Sequence, residues 1–236
     1  MLKYSPEVEL LWQQSFGAGG FDTLCNLSLG IHGVAYVTGE SLQPSTDYDV
    51  LTAAFNAEGT LLWQDLVHGE GDFDRGRAIA AHPAGGAVVC GSIRRLPWNE
   101  DVITIRYDST GNRMWTRTFE VSTGSYDVGK VIAVDADGNT LVGGGTSAFG
   151  GGLDYLVLKY DPDGNLLWQA HYDGLGGLHD TPADVATDAL GNVVVTGSSD
   201  GSDGFGDVVT LKLATGLGMS RDDFESGDAS AWLRSE

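Results

Sequence analysis

The chain has 236 residues, a formal net charge of −20, and 42% hydrophobic against 19% charged residues; that is enough apolar matter for a packed core and excludes a disordered chain or a coiled coil. Thirteen basic against 33 acidic side chains repel phosphate backbones and anionic lipid surfaces, so neither a nucleic-acid partner nor membrane insertion is expected. The 35 glycines stand beside only six prolines, which implies many tight turns and no collagen period.

Residues 1–12 mix polar and apolar side chains and do not read as a signal peptide, and no apolar run approaches the ~18 residues of a membrane span. Trp12 then opens a series. Trp12, Trp63, Trp115 and Trp168 stand 51, 52 and 53 residues apart, and such a fixed period signals a repeat architecture. The strings before them are alike: Lys3-Tyr4-Ser5-Pro6 to Trp12, Phe55-Asn56-Ala57-Glu58-Gly59 to Trp63, Tyr107 through Gly111 to Trp115, and Tyr160-Asp161-Pro162-Asp163-Gly164-Asn165-Leu166-Leu167-Trp168. A fifth copy begins at Leu211-Lys212-Leu213 and stops before any Trp.

Each unit holds four short alternating runs, at 78–81, 87–91, 102–107 and 113–119 in the second. Period-2 alternation rich in β-branched and aromatic residues predicts strands, here named A to D from the inside out. Asx and Gly three residues apart mark tight turns between C and D (Asn56/Gly59, Asp108/Gly111, Asp161/Gly164) and between A and B (Asp135/Gly138, Asp188/Gly191). These hairpins define a bottom face, and the longer D–A and B–C connections a top face. Four strands per ~50 residues predict an all-β fold, a β-propeller of four-stranded blades. The last blade lacks strand D and strand 10–16 lacks a blade, so closure of a four-blade ring is expected by pairing 10–16 with 208–213, which removes two open edges. Residues 1–4 match half of a C strand that such a ring does not need, a sign of a larger array. Residues 1–216 are read as the propeller and 217–236 as a polar tail.

The 160–168 string, followed by Asp184-Val185-Ala186-Thr187-Asp188-Ala189-Leu190-Gly191-Asn192-Val193-Val194-Val195-Thr196-Gly197, resembles the bacterial β-propeller repeat known as SBBP, over residues 1 to about 215. The first copy departs from it, with Val8 at the turn glycine and a degenerate Gly30-Ile31-His32-Gly33. Asp222-Asp223-Phe224-Glu225-Ser226-Gly227-Asp228-Ala229-Ser230-Ala231-Trp232 is similar to an FESGD-x-SAW string found near the C-termini of secreted bacterial proteins. The resemblance implies an extracellular or cell-envelope repeat protein. It specifies no activity, no cofactor and no catalytic residue.

Two aspartates recur in every unit, 27 residues apart: Asp22 and Asp49, Asp74 and Asp101, Asp127 and Asp154, Asp180 and Asp207. The first precedes strand A and the second opens strand C, so all eight belong to the top face. They are either a cation-binding rim or ties for loop amides, and repetition in every blade favours the ties, because a catalytic centre needs unlike residues in unlike roles. The Asp-Ala-Asp-Gly and Asp-Pro-Asp-Gly strings at 135 and 161 invite a calcium reading, but a calcium loop places its Gly sixth rather than fourth, so they are read as turns and no metal is expected. His82 is read as a turn residue, His68 as a strand end, His171 and His179 as surface groups, and Cys25 and Cys90 as small buried residues. The four recurring Trp are expected to pack blade on blade. Arg94, Arg95 and Trp98 fall in a B–C loop unlike its Gly/Ser/Asp-rich counterparts, and Arg and Trp are favoured contact residues. They are the candidate ligand-binding set, for a protein or glycan partner. The functions weighed are a non-enzymatic binding module, a hydrolase or lyase with a site at the top of the channel, and a structural spacer.

Overall fold

The computed structural model describes residues 1–17, 20–45, 47–95, 99–149, 152–174, 177–201 and 205–213. A short sheet of β1 (Leu2–Tyr4) and β2 (Leu10–Gln13) comes first. Blade 1 follows as β3 (Asp22–Leu29), β4 (Ala35–Gln43), β5 (Asp47–Phe55) and β6 (Leu61–Val67). Blade 2 is β7 (Arg75–Ala81), β8 (Ala87–Arg95), β9 (Asn99–Tyr107) and β10 (Arg113–Phe119). Blade 3 is β11 (Asp127–Val134), β12 (Thr140–Thr146), β13 (Asp154–Tyr160) and β14 (Leu166–Tyr172). Blade 4 has three strands, β15 (Asp180–Thr187), β16 (Val193–Asp200) and β17 (Gly206–Leu213). Within each blade neighbouring strands pair antiparallel in chain order, and the inner strands pack side by side as β3, β7, β11, β15. This is a β-propeller architecture.

The turns form as their residues dictate. Asp161 Oδ1 accepts the amides of Asp163 and Asn165 at 3.0 and 2.7 Å, and Asp135 Oδ1 those of Asp137 and Asn139 at 3.1 and 2.8 Å. The turn glycines have positive φ, +83° at Gly59, +91° at Gly111 and +79° at Gly164. Val8 holds the same corner at φ 66°, where a β-branched side chain is strained. Each inner strand carries a bulge, as between Gly76 and Ala78, and the facing residue of the next strand is a glycine: a Cβ at Gly91 would overlap the Arg75 carbonyl.

The recurring Trp and the turn Gly are two halves of one joint. The Trp of each outer strand lies on the C–D turn of the following blade. Trp12 Nε1 donates to Ala57 O at 2.9 Å, Trp63 Nε1 to Ser109 O at 3.3 Å, and Trp115 Nε1 to Pro162 O at 2.9 Å. A Cβ on Gly59, Gly111 or Gly164 would press into the Trp12, Trp63 or Trp115 ring. The turn that would receive Trp168 lies outside the described residues, as does the 217–236 tail.

The ring does not close as the strand count suggested. Strand β2 pairs with β1, Trp12 facing Lys3, and the outer edge of β17 carries no described strand. Phe16 meets Phe55 edge-on at 4.8 Å and, with Met1, packs on Val37 and Ala53. The leftover half C strand is therefore β2's partner, and β1–β2 occupies the place of the outer half of a blade preceding blade 1. Closing a short hairpin costs much less chain entropy than joining ends some 200 residues apart. The same arrangement corrects Cys25: it is exposed, with Leu24, Leu27 and Leu29, because β1–β2 covers the outer part of blade 1 and not its inner strand. Cys90 is buried as expected.

The bottom face repeats a second theme. Lys159 Nζ lies 2.9 Å from Asp135 Oδ2, and Lys212 Nζ 2.9 Å from Asp188 Oδ2. In blade 2, His82 takes the aspartate's slot: its Nδ1 accepts the Ala84 amide at 3.1 Å, and Arg106 donates to Gly85 O at 2.7 Å instead.

Candidate functional site at the blade junctions

The aspartates that open strand C do not meet the inner-strand aspartates of their own blade. Each meets the one in the next. Asp49 of blade 1 joins Asp74 of blade 2, and Asp154 of blade 3 joins Asp180 of blade 4, each with a third ligand-type group from the end of strand D, His68 and Asp173. At the middle junction Asp101 and Asp127 sit within each other's field, with Glu120 in the third slot. Asp207, at the outermost described C strand, is exposed. The third members stand 52 and 53 residues apart.

The two aspartates have different work. The inner-strand set ties down the D–A loops: Asp74 Oδ2 accepts the Gly69 amide at 2.5 Å, Asp127 Oδ2 the Val121 amide at 3.0 Å, and Asp180 Oδ2 the Gly174 amide at 2.7 Å. Asp22 accepts a hydrogen bond from the Ser41 hydroxyl. In the C-strand set Asp49, Asp101 and Asp154 are buried against like charge, and each junction answers that differently. At Asp49 stands His68, Nδ1 at 3.3 Å. At Asp101 stands Arg95, Nε at 2.9 Å. At Asp154, among the described residues, no cation lies within ion-pair distance.

Burial, against the pull of Arg95 and with Glu120, Asp127 and Glu70 behind it, pushes Asp101 up to about 6. Burial and the charges of Asp173 and Asp180 push Asp154 up to about 7. Both carboxyls hold a proton more tightly folded than unfolded, so the stability they contribute is complete at low pH and is lost as pH rises through about 6 and about 7. Burial lowers His82 and His171, which opposes this trend below ~6.5. Asp108, Asp135, Asp161 and Asp188 are held below 3.8 and add no slope in this range. In chelating buffer, lowering the pH from about 8 to about 6.5 should add roughly 1 kcal/mol, a rise of a few degrees in melting temperature. A fall in melting temperature over that interval would contradict the assignment.

Above His68 a cleft of about 580 Å³ opens between the B–C loop of blade 1 and the D–A loop entering blade 2, lined by Gln43, Ser45, Asp47, Glu70 and Asp72 among others. Phe73 anchors its wall, stacked on Tyr48 at 5.5 Å and covered by the Arg94 guanidinium at 5.1 Å. The candidate arginines are thus turned to the scaffold: Arg94 packs behind Gly71 of the cleft and over Phe73, and Arg95 is paired with Asp101. Trp98 lies outside the described residues. His179 is exposed and its Nδ1 accepts the Leu153 amide at 3.2 Å. His171, expected at the surface, is buried at 7% exposure, because Phe149 from the B–C loop of its own blade stacks on it at 4.2 Å. The cleft and the third junction members escaped sequence reading, since that slot holds His, Glu and Asp in turn and only its spacing repeats.

No family model matches the chain, and no curated protein does. Among solved structures it is similar to a quinohemoprotein alcohol dehydrogenase of Pseudomonas putida HK5 (16% identity, TM-score 0.47, 75% of this chain and 30% of that one). It is also similar to a gluconolactonase of Xanthomonas campestris (15%, 0.44, 83% and 61%) and to a protein of unknown function from Dyadobacter fermentans (12%, 0.48, 88% and 64%). The chain spans less than two thirds of the length of each.

Proposed function

We propose that this chain is a non-enzymatic β-propeller binding module of the bacterial repeat type, secreted or held at the cell surface, which engages a protein or glycan through its top face. The cleft between blades 1 and 2 carries the reading. It is open, polar and acidic, and it is built by loops held on rigid blades, where recognition is commonly placed. Asp47, Glu70 and Asp72 on its walls suit a partner that presents basic groups or a row of hydroxyls. Arg94 backs one wall, its side chain against Gly71. The inner-strand aspartates beneath tie down one D–A loop after another, as a scaffold requires.

One observation favours a second reading, an enzyme. His68 at the cleft lies 3.3 Å from Asp49 and 3.7 Å from Asp74, a geometry that could serve acid–base work. The test is a panel of glycans and basic proteins probed with the immobilised chain. Asp47→Asn with Glu70→Gln should lower retention at least about tenfold and weaken its salt dependence, while Asp163→Asn on the bottom face leaves it unchanged. Equal retention by the cleft variant would remove the cleft from recognition. Hydrolysis of a glycoside or lactone that disappears in His68→Ala would establish the enzyme instead.

A further inference from the structure

We propose that the junction of blades 3 and 4 is a calcium site, with Asp154, Asp173 and Asp180 as ligands. The three junctions are built alike, and two set a nitrogen side chain against the buried aspartate, the His68 imidazole beside Asp49 and the Arg95 guanidinium beside Asp101. The third, like the middle one, puts a carboxylate in every slot, but among the described residues no basic side chain stands within ion-pair distance of them. Asp154 is 0% exposed and neither of its oxygens meets a donor, and Asp173 has an unpartnered Oδ1; Asp180, also 0% exposed, takes the Gly174 amide on Oδ2 and stands beside the Ser199 hydroxyl. Buried charges in native proteins are paired or bind metal. The neighbouring His171 imidazole is stacked on Phe149 at 4.2 Å, and among the described residues it forms no ion pair with any of the three aspartates.

The donor set, three carboxylates, selects a hard cation. One oxygen from each aspartate lies within 4.8 Å of the other two, so a single point can sit at most about 2.8 Å from all three. That bound admits the ~2.3–2.6 Å of calcium–oxygen bonds, and calcium is favoured over magnesium because magnesium dehydrates reluctantly and keeps several waters, which a carboxyl as buried as Asp154 does not accommodate. An all-oxygen donor set also disfavours zinc and copper. Bound there, the ion would clamp the start of β13 to the start of β15 and the D–A loop between blades 3 and 4.

Calcium chloride titrated into the chelator-treated full chain by calorimetry should show one saturable site above weak surface binding, with magnesium at least about tenfold weaker. Calcium should raise the melting temperature. Asp154→Asn and, as a second variant nearer the surface, Asp173→Asn should each weaken binding at least about tenfold and abolish the calcium-dependent rise, while Asp101→Asn retains both. No saturable heat with millimolar calcium, or binding that survives both Asp154→Asn and Asp173→Asn, would overturn the proposal.

Discussion

Trp115→Ala should destabilise the chain by about 3–5 kcal/mol. The indole is 7% exposed, belongs to a core cluster with Ala78, Leu158 and Tyr160, and donates its only polar hydrogen to Pro162 O at 2.9 Å in the next blade. Truncation opens a cavity between blades 2 and 3 and strips the cover from the Gly164 turn. For a chain of this size that is a fall of about 10 °C or more in melting temperature. Trp12→Ala, at a joint made with a two-stranded sheet, should cost less. Equal and small effects at both positions would show that the Trp-on-turn joint does not bind blade to blade.

Lys159→Ala should cost a similar amount, about 3–5 kcal/mol, because it removes one half of a buried ion pair. Lys159 and Asp135 are each 6% exposed and stand 2.9 Å apart. Burial pushes the Asp135 carboxyl up, but hydrogen bonds from Asn139 and Lys159 outweigh it and hold the group below its ordinary range. Alanine would strand that carboxylate in the protein. Lys212→Ala tests the same motif where it is half exposed, 51% for the lysine side chain, and should be nearly silent. Paired urea melts of the two variants would separate burial from mere ion pairing, and comparable losses in both would contradict the argument.

These two joints show where sequence reading succeeds. Each Trp and each turn Gly was visible in its own string, since strand alternation and turn chemistry act over a few residues. Their meeting was not, because it couples positions 47 to 49 residues apart in different blades. The aspartates follow the same rule. Their period of 27 within a unit suggested a pair, yet the chain folds so that Asp154 faces Asp180 rather than Asp127. Which blade an aspartate faces is set by packing between sheets. The strand count failed at β2 because counting treats any strand lacking a blade as available to any blade lacking a strand, whereas residues 2–4 stood one short hairpin away. Arg95 was legible as unusual in an acidic chain, and its attachment to Asp101 inside its own blade was not.

With an ion at the third, each described top-face junction sets its own partner against its buried carboxylates: an imidazole, a guanidinium and an ion. Anomalous diffraction from crystals grown with calcium tests this most directly. It should show one peak among Asp154, Asp173 and Asp180, and none at Asp101, where the Arg95 guanidinium stands. An empty third junction, or a peak beside Asp101 with Arg95 displaced, would contradict it.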